Sequence, residues 1–382
     1  MRYIYRKCFF ILLASCCICS SNACPTSCYC QAVSEGGNVD CNTKGLNIVP
    51  TNIPTYVKKL YLYSNSIKDV NREVFSDLTN LEILQLGDNV IGNLDSSFFE
   101  NLDKLTNLHL QQNNITTLPV NVFSNLKSLQ VLYLYENSIQ EYDTDVFKGL
   151  HQLRELYLQN NRISNLTTNV FVDLQLMEIL DVSQNQLQSL PSTVFSNLIS
   201  LRILYIYSNF ITTISEHTFW NLDNLEQIDI YDNKISTIEN TSFGDLPALT
   251  KIQLHYNLIT CDCYVRWFRD WLLSRPTLGT AYATCKTSGI YITDVTDDTF
   301  EECNGKKPCP SGWTGQNCDV DIEPPNMFDC PANMTVFTSE LTKTVEWSVP
   351  EFIDPNNESL EVFKNYQEAK WTFPWGDFNV SY

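Results

Sequence analysis

Hydrophobic positions recur along most of this chain with a period of 24 residues. Nine asparagines keep that spacing without a slip: Asn65, Asn89, Asn113, Asn137, Asn161, Asn185, Asn209, Asn233 and Asn257. Five residues before each stands Leu or Ile, from Leu60 to Ile252, and two residues after each stands another aliphatic, such as Ile67, Ile91 or Leu187. A Phe follows the first eight asparagines by ten residues, from Phe75 to Phe243, and a Leu comes three residues later, from Leu78 to Leu246. The unit reads LxxLxLxxNxIxxIxxxxFxxLxx. Its LxL piece alternates, which predicts a short strand with leucines inward and the intervening residues outward. One such unit cannot bury its own hydrophobic face, so units of this length stack into a solenoid. The Asn is predicted to turn the chain while its amide satisfies backbone groups inside. The Phe column predicts a continuous aromatic spine on the far side.

Position by position, the unit resembles the extracellular leucine-rich repeat. The resemblance implies an α/β right-handed solenoid of nine 24-residue repeats over residues 52–259, with a parallel sheet on its concave side. The cysteines bracket that array, none lying between Cys41 and Cys261. CPTSCYCQAVSEGGNVDC resembles the cysteine-rich N-terminal flank of such proteins (residues 24–51), and implies pairs Cys24–Cys30 and Cys28–Cys41. CDCYVRWFRDWLLSRP, with Cys285 and Cys303, is similar to the matching C-terminal flank (260–303). It implies pairs Cys261–Cys285 and Cys263–Cys303 and a helix on which Trp267 and Trp271 seal the last repeat. Asn257-Leu258-Ile259-Thr260 stands where that flank usually carries Asn-Pro-Trp. Zinc is the competing reading for each tetrad, but C-x-C is poor zinc spacing.

Composition assigns the compartment. Arg2, Arg6 and Lys7 precede an apolar run from Cys8 to Ile18, and Ser21 and Ala23 supply small residues at −3 and −1. That pattern predicts a signal peptide over 1–23, because a dozen apolar residues are too few to span a bilayer. No transmembrane segment is read in the chain. The net charge of −19, made more negative by removing those three bases, argues against nucleic acid and acidic membranes as partners.

Beyond Cys303 the pattern changes. CPSGWTGQNC, Cys309 to Cys318, resembles the last disulfide loop of an EGF module, which implies a Cys309–Cys318 pair in a remnant spanning 304–320. Residues 321–382 resemble a hyalin repeat (HYR), an immunoglobulin-like β-sandwich, at Pro324-Pro325, Cys330-Pro331, Val345, Trp347, Pro350, Asp354 and Phe373-Pro374-Trp375-Gly376. That module is expected to continue past Tyr382 and supply a partner for Cys330; an intermolecular bridge is the alternative.

On the concave sheet the outward columns are the residue between the two leucines and the one after them. Eight of these eighteen positions are Tyr: Tyr61, Tyr63, Tyr133, Tyr135, Tyr157, Tyr205, Tyr207 and Tyr231. Tyr offers a large contact area, two side-chain torsions and a polar tip, the properties that enrich it in paratopes. Simple strand propensity would also favour Thr and Val, and neither occurs in the two columns. With His109, Gln111 and Asp229, these tyrosines form the predicted ligand-binding set. Glu136, Glu155, Glu178, Asp181, Glu226 and Asp232 add acid towards the second half, suiting a protein ligand with basic and apolar patches. A merely solvated acidic face explains those charges equally. No nucleophile motif, phosphate loop or HExxH run occurs, so neither enzyme, metal nor cofactor is predicted. Glycosylation sequons stand at Asn114, Asn165, Asn240, Asn333, Asn357 and Asn379; glycans at the first two are expected to border the concave face.

The cap-array-cap order resembles variable lymphocyte receptors and Slit-type repeat blocks. It implies an extracellular protein-binding module, secreted or displayed at the cell surface. The EGF-like and HYR pieces favour cell adhesion, guidance or matrix interaction. The alternative is an innate immune receptor for microbial protein or glycan.

Overall fold

The computed structural model describes residues 24–298 except 33, 35, 276, 277 and 279, together with six short strands between 313 and 374. The expected signal peptide therefore lies outside the described residues. One twelve-stranded sheet runs through the first unit. Its centre is nine parallel strands, Lys59–Tyr61, Ile83–Gln85, Asn107–His109, Val131–Tyr133, Glu155–Tyr157, Ile179–Asp181, Ile203–Tyr205, Gln227–Asp229 and Lys251–Gln253. Each pairs with the next in the register of the 24-residue period, Leu60 opposite Leu84 and Leu84 opposite Leu108. The predicted inward leucines are fully buried, from Leu60 to Ile252. On the back, Thr117–Leu118 pairs with Glu141–Tyr142 and Thr213–Ile214 with Thr237–Ile238, again in parallel. The returns are otherwise turns, one of them a short 3-10 helix at Arg72–Val74; among the described residues, helix is concentrated in the C-terminal cap.

The Asn ladder couples neighbouring turns. Asn185 Oδ1 accepts from the Ile163 N–H of the preceding turn at 3.0 Å. Its Nδ2 donates to Leu158 O in that turn at 3.0 Å, and to Val182 O and Ser183 O in its own at 3.2 and 3.0 Å. The same pattern recurs at Asn89, Asn113 and Asn233. A buried amide has just the donors and acceptor that a bending strand leaves open. The bend itself sits one residue earlier. Ser64, Asp88, Gln112, Glu136, Asn160, Gln184, Ser208, Asp232 and Tyr256 all have φ between 51° and 56°. These left-handed positions disfavour β-branched side chains on steric grounds, and none of the nine is β-branched.

The predicted spine is present from Phe99 onward, with Phe75 buried ahead of it but outside the stacked series. Phe99, Phe123, Phe147, Phe171, Phe195, Phe219 and Phe243 stack in sequence with centroids 5.1–6.4 Å apart. The cap helix Arg266–Leu273 then lays Phe268 5.0 Å from Phe243 and Trp271 5.1 Å from it. That helix buries Phe268 and Leu272 because its apolar residues fall on one face. The strand Thr280–Tyr282 pairs with Lys251–Gln253 and closes the sheet. At the other end, Tyr29–Cys30 and Asn38–Asp40 form an antiparallel pair, and the latter joins Lys59–Tyr61 in parallel.

Disulfides Cys24–Cys30, Cys28–Cys41 and Cys261–Cys285 are formed. Cys263 is also disulfide-bonded, while Cys303, its expected partner, lies outside the described residues. Bonds of this kind persist in an oxidising, extracellular-type compartment. Among the described residues no helix is long and apolar enough to cross a membrane.

Residues 301–382 form a second unit. Its strands pair antiparallel, Trp313–Thr314 with Val320–Asp321, Asn326–Phe328 with Glu351–Ile353, and Thr342–Glu346 with Lys370–Pro374. Cys309, Cys318, Cys330 and the sequons at Asn333, Asn357 and Asn379 lie outside the described residues, so the EGF-like and HYR readings stay expectations.

Candidate functional site: aromatic ladders on the concave sheet

Parallel pairing at a fixed register places equivalent side chains one strand apart, close enough for rings to stack. His109 and Tyr133 lie 4.5 Å apart between centroids, and Tyr133 stacks on Tyr157 at 4.9 Å and 10°. Tyr135 meets Tyr133 edge-on at 6.1 Å. A second ladder begins where Tyr205 meets Tyr207 edge-on, 6.3 Å away. Tyr207 then stacks on Tyr231 at 4.7 Å and Tyr231 on His255 at 4.8 Å, with interplanar angles of 2° and 5°. The tyrosines that look like one surface in the sequence are thus two ladders, each in a different column. Tyr61 and Tyr63 stand half-buried on the first repeat, where the Tyr63 hydroxyl donates to Gln112 Oε1 at 3.4 Å.

The break between the ladders is polar and closed. Asp181 and Ser183 are buried, with Asp181 Oδ1 accepting from the Ser183 N–H at 2.9 Å and from its hydroxyl at 2.6 Å. Burial raises the Asp181 carboxyl above the ordinary carboxylate range, and the two Ser183 hydrogen bonds oppose this.

Two residues of the predicted ligand-binding set are not solvent-facing. Gln111 is buried because it folds over Gly87, where an added β-carbon would meet its Nε2 at 2.6 Å. Asp229 is buried as well; its Oδ2 accepts from Gln227 Nε2 at 2.8 Å and lies 3.5 Å from Lys251 Nζ. The acidic face is largely used internally. Glu178 pairs with Arg154 and Glu226 with Arg202 one turn away, and Glu155 accepts from the Tyr157 hydroxyl at 2.9 Å. Glu136 and Asp232 remain exposed.

The local field keeps the aromatic groups neutral. Burial holds His109 down to about 4. Burial first, then the charge of Glu155, pushes the Tyr133 hydroxyl above its ordinary value. Burial, and then the hydrogen bond to Glu155, does the same for Tyr157. Burial lowers His255 against the opposing pull of Asp229 and Asp232. The face therefore offers flat, uncharged rings with hydroxyl donors at their tips. Among the described residues no group of three His, Cys, Asp or Glu could hold a metal ion.

The second ladder runs past the repeats onto the cap. His255 contacts Tyr256 at 4.7 Å and Tyr282 at 6.1 Å, and Tyr282 lies 6.2 Å from Tyr291. Tyr256, Tyr282 and Tyr291 are among the more exposed large side chains, at 75%, 42% and 42%. The column pattern misses them because Tyr256 occupies the left-handed position and the other two lie outside the period. Of the sequons, Asn114 is exposed directly after Asn113, at the sheet edge as expected. Asn165 is also exposed, but it sits four residues past Asn161, in register with the back ladder. Tyr142 clamps it there, donating to Asn165 O at 2.9 Å and accepting from the Thr167 N–H at 3.2 Å. A glycan at that site leaves from the back.

Comparisons with known proteins agree with this geometry. The family described as Leucine rich repeat matches residues 55–115, 103–163, 152–209, 175–235 and 199–259. Leucine-rich repeat-containing protein 3B of Homo sapiens and of Bos taurus is 36% identical over 93 residues, covering 24% of this chain and 35% of that protein. Leucine-rich repeat-containing protein 3 of Danio rerio is 30% identical over 112 residues, covering 27% and 42%. The chain thus spans well under half the length of these relatives. Among solved structures, a chain of the Toll–Spatzle complex from Drosophila is similar with a TM-score of 0.57 and 21% identity, over 70% of this chain and 39% of that one. A chain from the complex of Latrophilin 3, Unc5D and FLRT2 gives 0.49 and 24%, over 72% and 99%. With the period, the Asn seam and the matched residues in agreement over more than half its length, the chain belongs to the leucine-rich repeat family.

Proposed function

We propose that this protein is an extracellular binding module that holds a protein ligand across its concave sheet, through the two aromatic ladders. The observation that carries the reading is the stacking itself. Tyr133 on Tyr157 and Tyr207 on Tyr231 are fixed by the register of the strands beneath them. Rings so held lose little freedom on binding, so their contact area converts efficiently into affinity. The Toll–Spatzle fold neighbour offers a precedent for a protein partner, which this proposal extends to the present chain. The closed acidic break favours a ligand that reaches the two ladders separately, and the exposed rings of the cap extend the second contact.

The EGF-like and HYR resemblances support adhesion, guidance or matrix contact as the biological setting. The test is a multimerised secreted chain applied to an array of purified ectodomains and secreted proteins, with a glycan array in parallel. A protein hit should lose more than ~1 kcal/mol of binding in Tyr133→Ala/Tyr135→Ala or in Tyr207→Ala/Tyr231→Ala, with unfolding unchanged. A hit that both double variants bind equally well refutes the concave-face reading. Binding confined to the glycan array would favour the immune receptor for microbial glycan.

A further inference from the structure

A cleft of about 380 Å³ opens on the back of the last repeat, against the C-terminal cap. Its walls include Trp220, Trp267, Trp271, Asn240, Thr241 and Asp245. Three indoles in one wall are unusual for a surface that the concave site does not use. Trp271 is already occupied: its Nε1 donates to Gly244 O at 2.9 Å, and the Arg275 guanidinium covers its ring at 3.7 Å. Trp220 is different, being 50% exposed with an edge contact from His217 at 5.1 Å. A β-carbon built on Gly244 would touch its ring at 3.8 Å, so the indole lies directly over that turn.

The same wall carries an acceptor for a sugar. Asn240-Thr241-Ser242 is an N-glycosylation sequon, and Asn240, half-buried with its Oδ1 accepting from the Thr241 N–H at 3.1 Å, is among the residues lining the cleft. We propose that the N-linked glycan of Asn240 folds back into this cleft, its first N-acetylglucosamine lying on the Trp220 and Trp267 rings. The chemistry matches on both sides. A pyranose presents a face of C–H groups to an indole, whose electron-rich surface and area suit such contact. Its hydroxyls find the carboxylate of Asp245, fully exposed at the rim. The volume lies within the ~300–1,000 Å³ typical of small-ligand sites. Covalent attachment supplies the sugar at high effective concentration, so weak stacking suffices. The glycan then covers the seam between array and cap, where Gly244 also accepts from Arg275.

The chain should be secreted from a eukaryotic line restricted to high-mannose glycans, and occupancy of Asn240 read by peptide mass spectrometry. Ser242→Ala removes the sequon while keeping Asn240; the Ser242 hydroxyl makes no hydrogen bond, so folding does not depend on it. Asn240→Gln is the second route to the same loss. Both variants should melt ~2–4 °C below the parent, the shift that one stabilising contact gives in an array of this size. In a Trp220→Ala background either change should shift melting by less than ~1 °C, if the sugar acts through that ring. Trimming the glycan to one N-acetylglucosamine should preserve the parent value. An unoccupied Asn240, equal shifts in both backgrounds, or loss of the effect on trimming would each overturn the proposal.

Discussion

Asn185→Ala tests the seam where it is deepest. The Asn185 side chain is 5% exposed and accepts from one backbone N–H and donates to three carbonyls across two turns. Alanine removes the acceptor and both amide hydrogens. At ~0.5–1.5 kcal/mol for the acceptor and for each of the two amide hydrogens, with a further ~1–3 kcal/mol for the Ile163 N–H left dry, the cost comes to ~2.5–7.5 kcal/mol. Asn65 makes similar bonds, to the Lys44 and Leu46 N–H groups and to Cys41 O and Leu62 O, but it is half-buried. Water can replace those partners, so Asn65→Ala should cost only ~1–2 kcal/mol. A solenoid unfolds as coupled neighbours rather than as one block, so the assay is native-state hydrogen exchange followed residue by residue. Protection should fall most at Ile163 and around the turns on either side of it. Asn185→Asp discriminates further. Its carboxylate would face the carbonyls of Leu158, Val182 and Ser183, raising its folded pKa above the unfolded one. The variant should therefore recover stability as the pH falls and lose it as the pH rises through the folded value. Asn185→Ala within ~1 kcal/mol of the parent, or equal to Asn65→Ala, would refute the reasoning.

Three more outcomes are expected. Burial holds His109 at about 4, against an ordinary value of 6.5, so the unfolded chain binds more protons between those pH values. Its contribution is thus present above pH ~6.5 and lost as the pH falls through about 4. Discounted for the half-buried setting of the imidazole, this amounts to ~1–2 kcal/mol, and His109→Gln should flatten that part of a stability–pH curve from denaturant titrations. Phe171→Ala, removing a ring stacked at 6.3 Å on both sides, should cost ~3–5 kcal/mol in the same titrations. At Gln184, exposed with φ 52°, Val should cost ~1–2 kcal/mol and Gly should fall within ~1 kcal/mol of the parent, as read by thermal melts; equal effects would show that the turn's handedness is not selecting the residue.

The architecture was legible because its contacts repeat at one interval. Asn89 to Asn113 and Phe147 to Phe171 are neighbours in space since they are neighbours in the period, so spacing alone places them. The cap pairs Cys24–Cys30 and Cys28–Cys41 followed from resemblance rather than from spacing. The site was only half legible. A column assigns a direction, but exposure also depends on the side chain one turn away. Gln111 closes over Gly87 because glycine leaves room for it, and Asp181 turns inward because Ser183 offers it two donors. The pairs Lys58–Glu82, Arg154–Glu178 and Arg202–Glu226 do carry a sequence signal, opposite charges one period apart, which would have shown the acidic face to be largely compensated. Tyr282 and Tyr291 had no such signal, because cap strands follow disulfides and not the repeat.

The Asn seam also gives the array a polarity. Every ladder amide reaches back towards the N-terminus, never forward. Asn257, the last, keeps all its partners, Ile235, Ile230, Leu254 and His255, within the repeats. Asn65, the first, draws on the N-terminal cap for both acceptor contacts. Truncating the C-terminal cap therefore leaves the amide seam whole, whereas truncating the N-terminal cap strips its first link. The two ends are not equivalent starting points for unzipping, and assembly of the array during synthesis can proceed from a finished N-terminal template, each new turn docking onto one already made.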